Sequence, residues 1–399
     1  MKNTEFLNNV MNNVFGNMEN IENVENVEQT NKQTMVEQTN KQTMVEQKTS
    51  ENTLTLGLGF HKFDGNTPIS EVIKQIGADF EVQNQQLVRL PNEILEKIML
   101  GESVNIDPKY LVHTHKANVT TNDDFIAVVG ESYGIIQNTA CFELLDMLTN
   151  TKINNDPIQV VSAGLVDTYE PYIQCRLPKI ARINNDNSDT EFYIFAHTSH
   201  DGSSGLQIRF SPVRVVCQNT FMANVSSKLG LTFKHSRNVG NRIDFTKKEN
   251  INYVQNKLNE LNILCDDYIN KMNSYALAKL SDKQIVDFVN NLFITDKDLL
   301  EQVKKANNNP LVVDDVTTAT KNKIIAFNNI IGSDSLGQDS ARGTKLWLFN
   351  ATTNYLSNSK NYGNSKDDFS TKQTKRFKSM LSGSANKDFE RAEQLLLAM

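Results

Sequence analysis

The chain is short of the features that usually assign a protein quickly. It has four Cys, at 141, 175, 217 and 265, and no two of them form a CxxC pair. That spacing excludes a zinc ribbon and points to reduced thiols in a cytoplasm. No apolar run approaches the roughly 18–20 residues that span a bilayer, so no membrane partner is expected. The start, MKNTEFLNNVMNN, has no continuous apolar stretch, and a secretory leader is not expected. Nothing reads GxxxxGK[ST], which excludes a P-loop ATPase. The one Gly-rich run, Gly202-Ser-Ser-Gly205, has no helix after it to carry a phosphate. No cofactor is implied.

What is present is 399 residues with 39% hydrophobic content, enough for a sizeable core, and a formal net charge of −6. There are 50 Asn, and 31 Lys against 10 Arg, the bias of an AT-rich coding sequence. The first 55 residues differ in kind from the rest. Val27–Met35 and Val36–Met44 both read VEQTNKQTM, and a third copy begins at Val45. A period of nine fits neither the heptad nor the 11-residue supercoil repeat, and so polar a segment cannot offset the entropy of ordering. Residues 1–55 are therefore expected to be a disordered acidic tail, with docking of a protein partner as its candidate role.

The body reads as α+β: a β-rich half over 56–250 with an antiparallel or mixed sheet, then a helical region over 251–399 packed on that core. Thr67-Pro68-Ile69 starts a helix that runs to Gly77. Phe80-Glu-Val and Leu87-Val-Arg-Leu90 suggest a hairpin around Asn84. Phe125–Val129 reads as a short buried strand and Gly134–Ile136 as a second, and Asn138 caps a helix through Leu148. Val160–Gly164, Tyr172–Leu177, Glu191–Phe195 and Leu206–Phe210 are four strands between Asn, Asp, Gly and Pro turns. From Ile251 to Tyr275 apolar residues recur at three and four. Ser281 and Gln284 make a capping box, and further helices are expected at 318–331, 344–357 and 386–398.

One stretch, Val128-Val-Gly-Glu-Ser-Tyr-Gly-Ile-Ile-Gln-Asn138 followed by Cys141-Phe-Glu-Leu-Leu-Asp146, resembles the family called domain of unknown function 932, the phage/plasmid-like proteins. Four later blocks agree in order: Ser162-Ala-Gly164; His200-Asp-Gly-Ser-Ser204 leading to Phe210-Ser-Pro-Val-Arg-Val-Val-Cys-Gln-Asn-Thr220; Gly343 to Tyr355; and the closing Phe389 to Leu397. The resemblance spans about 60–399. It implies cargo of phages, prophages or plasmids in the cytoplasm of a bacterial host, and it implies no agreed chemistry. Function has to come from the residues.

Among candidate sites, His197, His200 and Asp201 form the most enzyme-like cluster, residue types that could bind a divalent metal if they converged. Phe195 and Leu206–Phe210 frame them as strand–turn–strand, where His197 and His200 point to opposite faces and Asp201 serves the turn. A structural loop is the plainer reading. His113 and His115 read as surface residues. Cys217, among valines, reads as a core thiol.

Charge says more. From 209 to 248 the cations Arg209, Arg214, Lys228, Lys234, Arg237, Arg242, Lys247 and Lys248 face the single acid Asp244, a net of +7. The remainder then carries −6 − 7 = −13. A basic surface on an acidic protein suits a polyanion. Phe210, Phe221, Phe233 and Phe245 lie between the charges, as base-stacking faces or as core anchors. A second patch at 360–378 holds Lys360, Lys366, Lys372, Lys375, Arg376 and Lys378 and reads as a mobile basic loop.

The expectation is a nucleic-acid-binding protein of phage or plasmid DNA metabolism, with single-stranded DNA as partner. ATP-independent annealing and a homo-oligomer are its stronger forms. The alternative is a virion, host-takeover or anti-defence protein that binds proteins instead. Catalysis through His197, His200 and Asp201 is the weakest class.

Overall fold

The computed structural model describes residues 60–87, 90–104, 115–149, 152–153, 156–166, 168–184, 186, 188–214, 231–236, 248–333, 341–382 and 384–399. The repeat tail lies outside them. The first elements are β1 (Phe60–Gly65), α1 (Ile69–Gln75), β2 (Val82–Leu87), α2 (Asn92–Met99), β3 (His115–Thr120), β4 (Phe125–Gly130) and α3 (Asn138–Thr149). Strands follow: the two-residue pair β5 (Lys152–Ile153) and β6 (Asp156–Pro157), then β7 (Gln159–Leu165), β8 (Pro171–Arg182), β9 (Asp189–His197), β10 (Leu206–Arg214) and β11 (Leu231–Phe233). Helices complete the chain: α4 (Lys248–Leu277), α5 (Asp282–Phe293), α6 (Lys297–Lys305), α7 (Thr318–Gly332), α8 (Lys345–Asn354), α9 (Phe369–Ser382) and α10 (Ser384–Ala398). The protein is α+β, with strands in its first half and helices in its second.

The chain divides into two compact units. One holds the described residues of Thr55–Ser274 together with Asn361–Lys387, and the other holds Tyr275–Lys360 with Asp388–Met399.

In the first unit a six-stranded sheet runs β1-β7-β8-β9-β10-β11, with every neighbouring pair antiparallel. The four strands expected between Val160 and Phe210 are its centre. Residues directly opposite share a face, so register sorts the side chains. One face is apolar: Val160, Cys175, Ile194 and Phe210 form one row, and Ala163, Ile173, Ala196 and Ile208 the next. Against it pack Ile69, Val72 and Ile73 of α1, Phe142 and Leu145 of α3, and Cys265 of α4. Phe192 stacks on Phe210 at 5.6 Å and meets Tyr268 edge-on. The opposite face is polar. Its rows are Gly164–Tyr172–His197–Gln207, Ser162–Gln174–Phe195–Arg209 and Gln159–Arg176–Tyr193–Ser211.

A second sheet in this unit, β2-β3-β4, is also antiparallel. Here the sequence reading is corrected. No hairpin forms at Asn84: the strand runs straight through it, and Asn84 lies opposite Asn118. Gln85 and Gln86 offer no turn residue, and pairing with β3 supplies the ladder instead. Phe125–Gly130 is a strand, but it is an edge strand, with only Val129 buried and Phe125 and Val128 exposed. Gly134–Ile136 is not a strand. The helix start at Pro68 stands, and Gly77 closes α1 with φ of +69°.

The second unit is helical. The capping box of Ser281 and Gln284 is present at the start of α5. Its core gathers Phe288, Phe293, Phe327 and Tyr355, and α8 continues into one π-helical turn at Tyr355–Ser359. Asn307 and Asn308 take left-handed backbone at the end of α6, where the Asn308 N–H bonds back to Val303 O at 2.9 Å. Arg391 donates through Nε to Asn291 O at 2.7 Å and through a terminal nitrogen to Ile294 O at 3.1 Å. A cation thus closes the C-terminal end of α5, where the helix dipole is negative.

Candidate functional site

The polar face of the six-stranded sheet and the turn that leaves β9 hold a cluster of buried polar groups. His197, Thr198, Ser199 and His200 are all buried. The turn is deeper than a surface loop because α9 and the segment around Asn138 cover it from two sides.

On one side, α9 docks Phe377 against Tyr172, Phe195 and His197, with ring centroids 5.4–5.7 Å apart. The next residue, Lys378, places Nζ 2.6 Å from Oε1 of the buried Glu170. The other carboxylate oxygen of Glu170 lies 3.7 Å from His197 Nε2, an ion-pair distance too long for a hydrogen bond. Among the described residues neither ring nitrogen of His197 has a hydrogen-bond partner. Burial holds its pKa below the ordinary value near 6.5, although the Glu170 carboxylate favours the charged form.

On the other side, His200 Nε2 lies 2.8 Å from Asn138 Oδ1, and Asn138 Nδ2 donates to Ala78 O at 3.0 Å. An amide whose nitrogen is so engaged presents its oxygen as acceptor, so His200 carries its proton on Nε2. Asn118 Nδ2 donates to His200 O at 2.7 Å. His235 accepts from the Ile136 N–H at Nδ1, 3.3 Å, and lies 3.2 Å from Thr198 Oγ1 through Nε2, which fixes the Nε2–H tautomer. Its ring stacks on Tyr133 at 5.0 Å. Burial pushes His200 down to about 3 and His235 down to about 4. The cluster is therefore built from neutral imidazoles.

Asp201 follows. Burial alone would raise its carboxyl, but hydrogen bonds from Ser199 and Ser203 hold it below the usual range. Gly205 is required just beyond, since a Cβ there would sit 2.2 Å from Phe233 O and push β11 off the edge of β10.

The two histidines singled out from sequence have different neighbours: His197 meets Glu170 and Phe377, and His200 meets Asn138 and His235. Among the described residues no group of three or more His, Cys, Asp or Glu is placed to hold a metal. Ser199 donates its hydroxyl hydrogen bond to Asp201 Oδ1, and among the described residues neither histidine is its partner. Burial raises the thiols of Cys175 and Cys265 to about 12, the opposite of a nucleophile's shift. Among the described residues the arrangement fixes a turn and a helix. Glu170, Asn118 and His235 were not singled out from sequence, and Asn138 was read as a helix cap when its side chain reaches Ala78 and His200. A contact across 62 residues leaves no local pattern.

The cationic residues fall in three groups. Arg209 lies on the polar sheet face opposite Phe195, and its Nε donates to Gln207 Oε1 at 2.8 Å. Lys234 is exposed after β11. Arg214 ends β10 and Lys248 begins α4, while Lys228, Arg237, Arg242 and Lys247 lie outside the described residues, as do Phe221, Phe245, Cys217 and His113. Lys372, Lys375, Arg376 and Lys378 all sit on α9. This corrects the loop expected over 360–378: from Phe369 it is helix, started by Asp368, whose Oδ1 accepts from the Thr371 N–H at 2.7 Å. Lys375 Nζ pairs with Asp367 at 2.6 Å, and Arg376 reaches Gln373 Oε1 at 3.3 Å. Phe210 is buried and Phe233 packs on the core, so both are anchors. Phe369, by contrast, is 67% exposed.

The fold is that of an α+β protein. The family model for the domain of unknown function DUF932 matches residues 125–381, more than half of the chain, and the chain belongs to that family. The match is shorter than the 60–399 of the sequence resemblance, leaving the closing helix block outside. No curated protein and no solved structure matches the chain. No helix among the described residues is long and apolar enough to cross a membrane.

Proposed function

We propose that the protein binds nucleic acid through the phosphate backbone, single strands in particular, in the DNA metabolism of a phage or plasmid. The observation that carries this reading is α9, a docked helix with four cations, Lys372, Lys375, Arg376 and Lys378, and no acid along its length. An ammonium has three donors and the ion pair with Asp367 uses one, so Lys375, 45% exposed, keeps donors for a second anion. Exposed Phe369 stands one helical turn before Lys372, the pairing of aromatic face and cation on which an unpaired base stacks, at about 1–3 kcal/mol per base. The net +7 of 209–248 is a further cationic segment of the sequence. Annealing of complementary strands is the activity such binding would serve.

The test is fluorescence anisotropy of a labelled 30-mer single strand at 50 and 200 mM salt. Binding should weaken steeply with salt. Lys372→Glu/Lys375→Glu should lower the slope of log affinity against log salt by about 1.4, two backbone contacts at roughly 0.7 each. Phe369→Ala should weaken binding about tenfold without changing that slope. Absent or salt-insensitive binding overturns the proposal. The protein-partner alternative has its own support in α2, whose Leu95, Ile98 and Met99, with Leu100 after them, are all exposed.

A further inference from the structure

The three-stranded sheet has two edges, and they are finished differently. At β2 the outward backbone of Val82 is taken up by one side chain: its N–H donates to Gln137 Oε1 at 3.0 Å, and Gln137 Nε2 donates to its carbonyl at 2.7 Å. After Val82 the strand reads Gln-Asn-Gln-Gln before it ends at Leu87. At β4 there is no such closure. Among the described residues, only β3 pairs with the backbone of Phe125–Val129. The strand reads FIAVVG, with no charge and no proline. Of the devices that blunt a sheet edge, charge, proline, a covering segment or a bulge, β4 has, among the described residues, only the bulge opposite Asn118–Val119.

We propose that β4 is the edge through which two copies of this chain join, antiparallel about a two-fold axis. The strand's own pattern selects a second copy as occupant. Pairing centred between Ile126 and Ala127 sets Phe125 opposite Val128 of the other copy, and the same pair recurs across the axis. Phe125 and Val128 are 61% and 53% exposed, so each covers the other. An aromatic residue opposite a β-branched one is a favourable cross-strand pair. A strand without charge meets its own copy without like-charge repulsion, and the isologous contact closes at two subunits. The joined sheet runs β2-β3-β4 and then β4-β3-β2 of the second copy, with the Gln137 closures at its two outer edges. Main-chain hydrogen bonds supply the affinity, as in strand addition.

The inference stands apart from nucleic-acid binding and is tested without it, by sedimentation velocity of the full chain across a range of concentrations. The expected mass is twice 45.0 kDa. Val128→Lys, at an exposed position, should raise the dimer dissociation constant about tenfold or more, with an unchanged circular dichroism spectrum. Phe125→Glu should do the same. The double variant sets opposite charges across the axis and should recover most of the association. A chain that stays at 45.0 kDa at its highest soluble concentration overturns the proposal. So does a dimer that survives Val128→Lys, or one lost only on Leu95→Lys/Met99→Lys in α2.

Discussion

The two faces of the six-stranded sheet solve the same packing problem with opposite materials. On one, Ala163, Ile173, Ile194, Phe192 and Phe210 meet α1, α3 and α4, and contact depends on shape and volume alone. On the other, Ser162 donates to Gln174 at 3.0 Å, Arg176 to Gln159 at 2.8 Å and Arg209 to Gln207 at 2.8 Å. Tyr193 donates to Glu191, and α9 rests there on the single buried ring of Phe377. An apolar face holds whatever fills it. A polar face holds only groups that complete its hydrogen bonds, and its energy is spread thinly across pairs that each contribute little net stability. The apolar face is expected to set stability, and the polar face to set which helix lies on it and in what register.

That contrast can be broken at three strengths. Phe192→Ala should cost about 3–5 kcal/mol in urea unfolding, the range for losing a buried aromatic from a core, and more than Phe377→Ala, whose site opens toward the half-exposed Lys378. Second comes pH. His200 and His235 have folded values near 3 and 4 against about 6.5 unfolded, so the unfolded chain takes protons that the folded one refuses. Their contribution is complete above about pH 6.5 and is lost as pH falls from there toward 4, at about 1.4 kcal/mol per pH unit for each imidazole. Melting temperatures from pH 7 to pH 4 should fall accordingly, and His235→Asn should flatten the fall. Smallest is Ser162→Ala/Gln174→Leu, which removes both partners of one bond and should shift stability by less than about 1 kcal/mol in the same urea experiment. A large loss there would give the polar face a share in stability that its pairwise bonds do not suggest.

Much of the sheet was legible because period-two patterns and turn residues are local. The four strands from Val160 to Phe210, the capping box at Ser281 and the later helices all follow from spacing. The misreadings share a cause. At Asn84 a polar residue between apolar ones looked like a turn, while β3, thirty residues on, kept the strand extended. At 360–378 Lys, Ser and Thr looked like solvated loop, but Asp368 caps a helix that Phe377 pins to the sheet. Helix propensity there is weak and tertiary contact decides. The cluster itself was half legible: His197, His200 and Asp201 stand together in sequence, while Glu170, Asn138 and His235 come from three other segments.

The two compact units are interleaved along the chain, and this bears on how the protein is made. The sheet-bearing unit waits for Asn361–Lys387, and the helical unit waits for Asp388–Met399. On a ribosome adding about 5–20 residues per second, the sheet-bearing unit lacks a part until Lys387 has emerged and the helical unit until Met399 has. Arg391, which closes the end of α5, arrives 100 residues after the Asn291 carbonyl it caps. No single cut in the chain releases either unit whole.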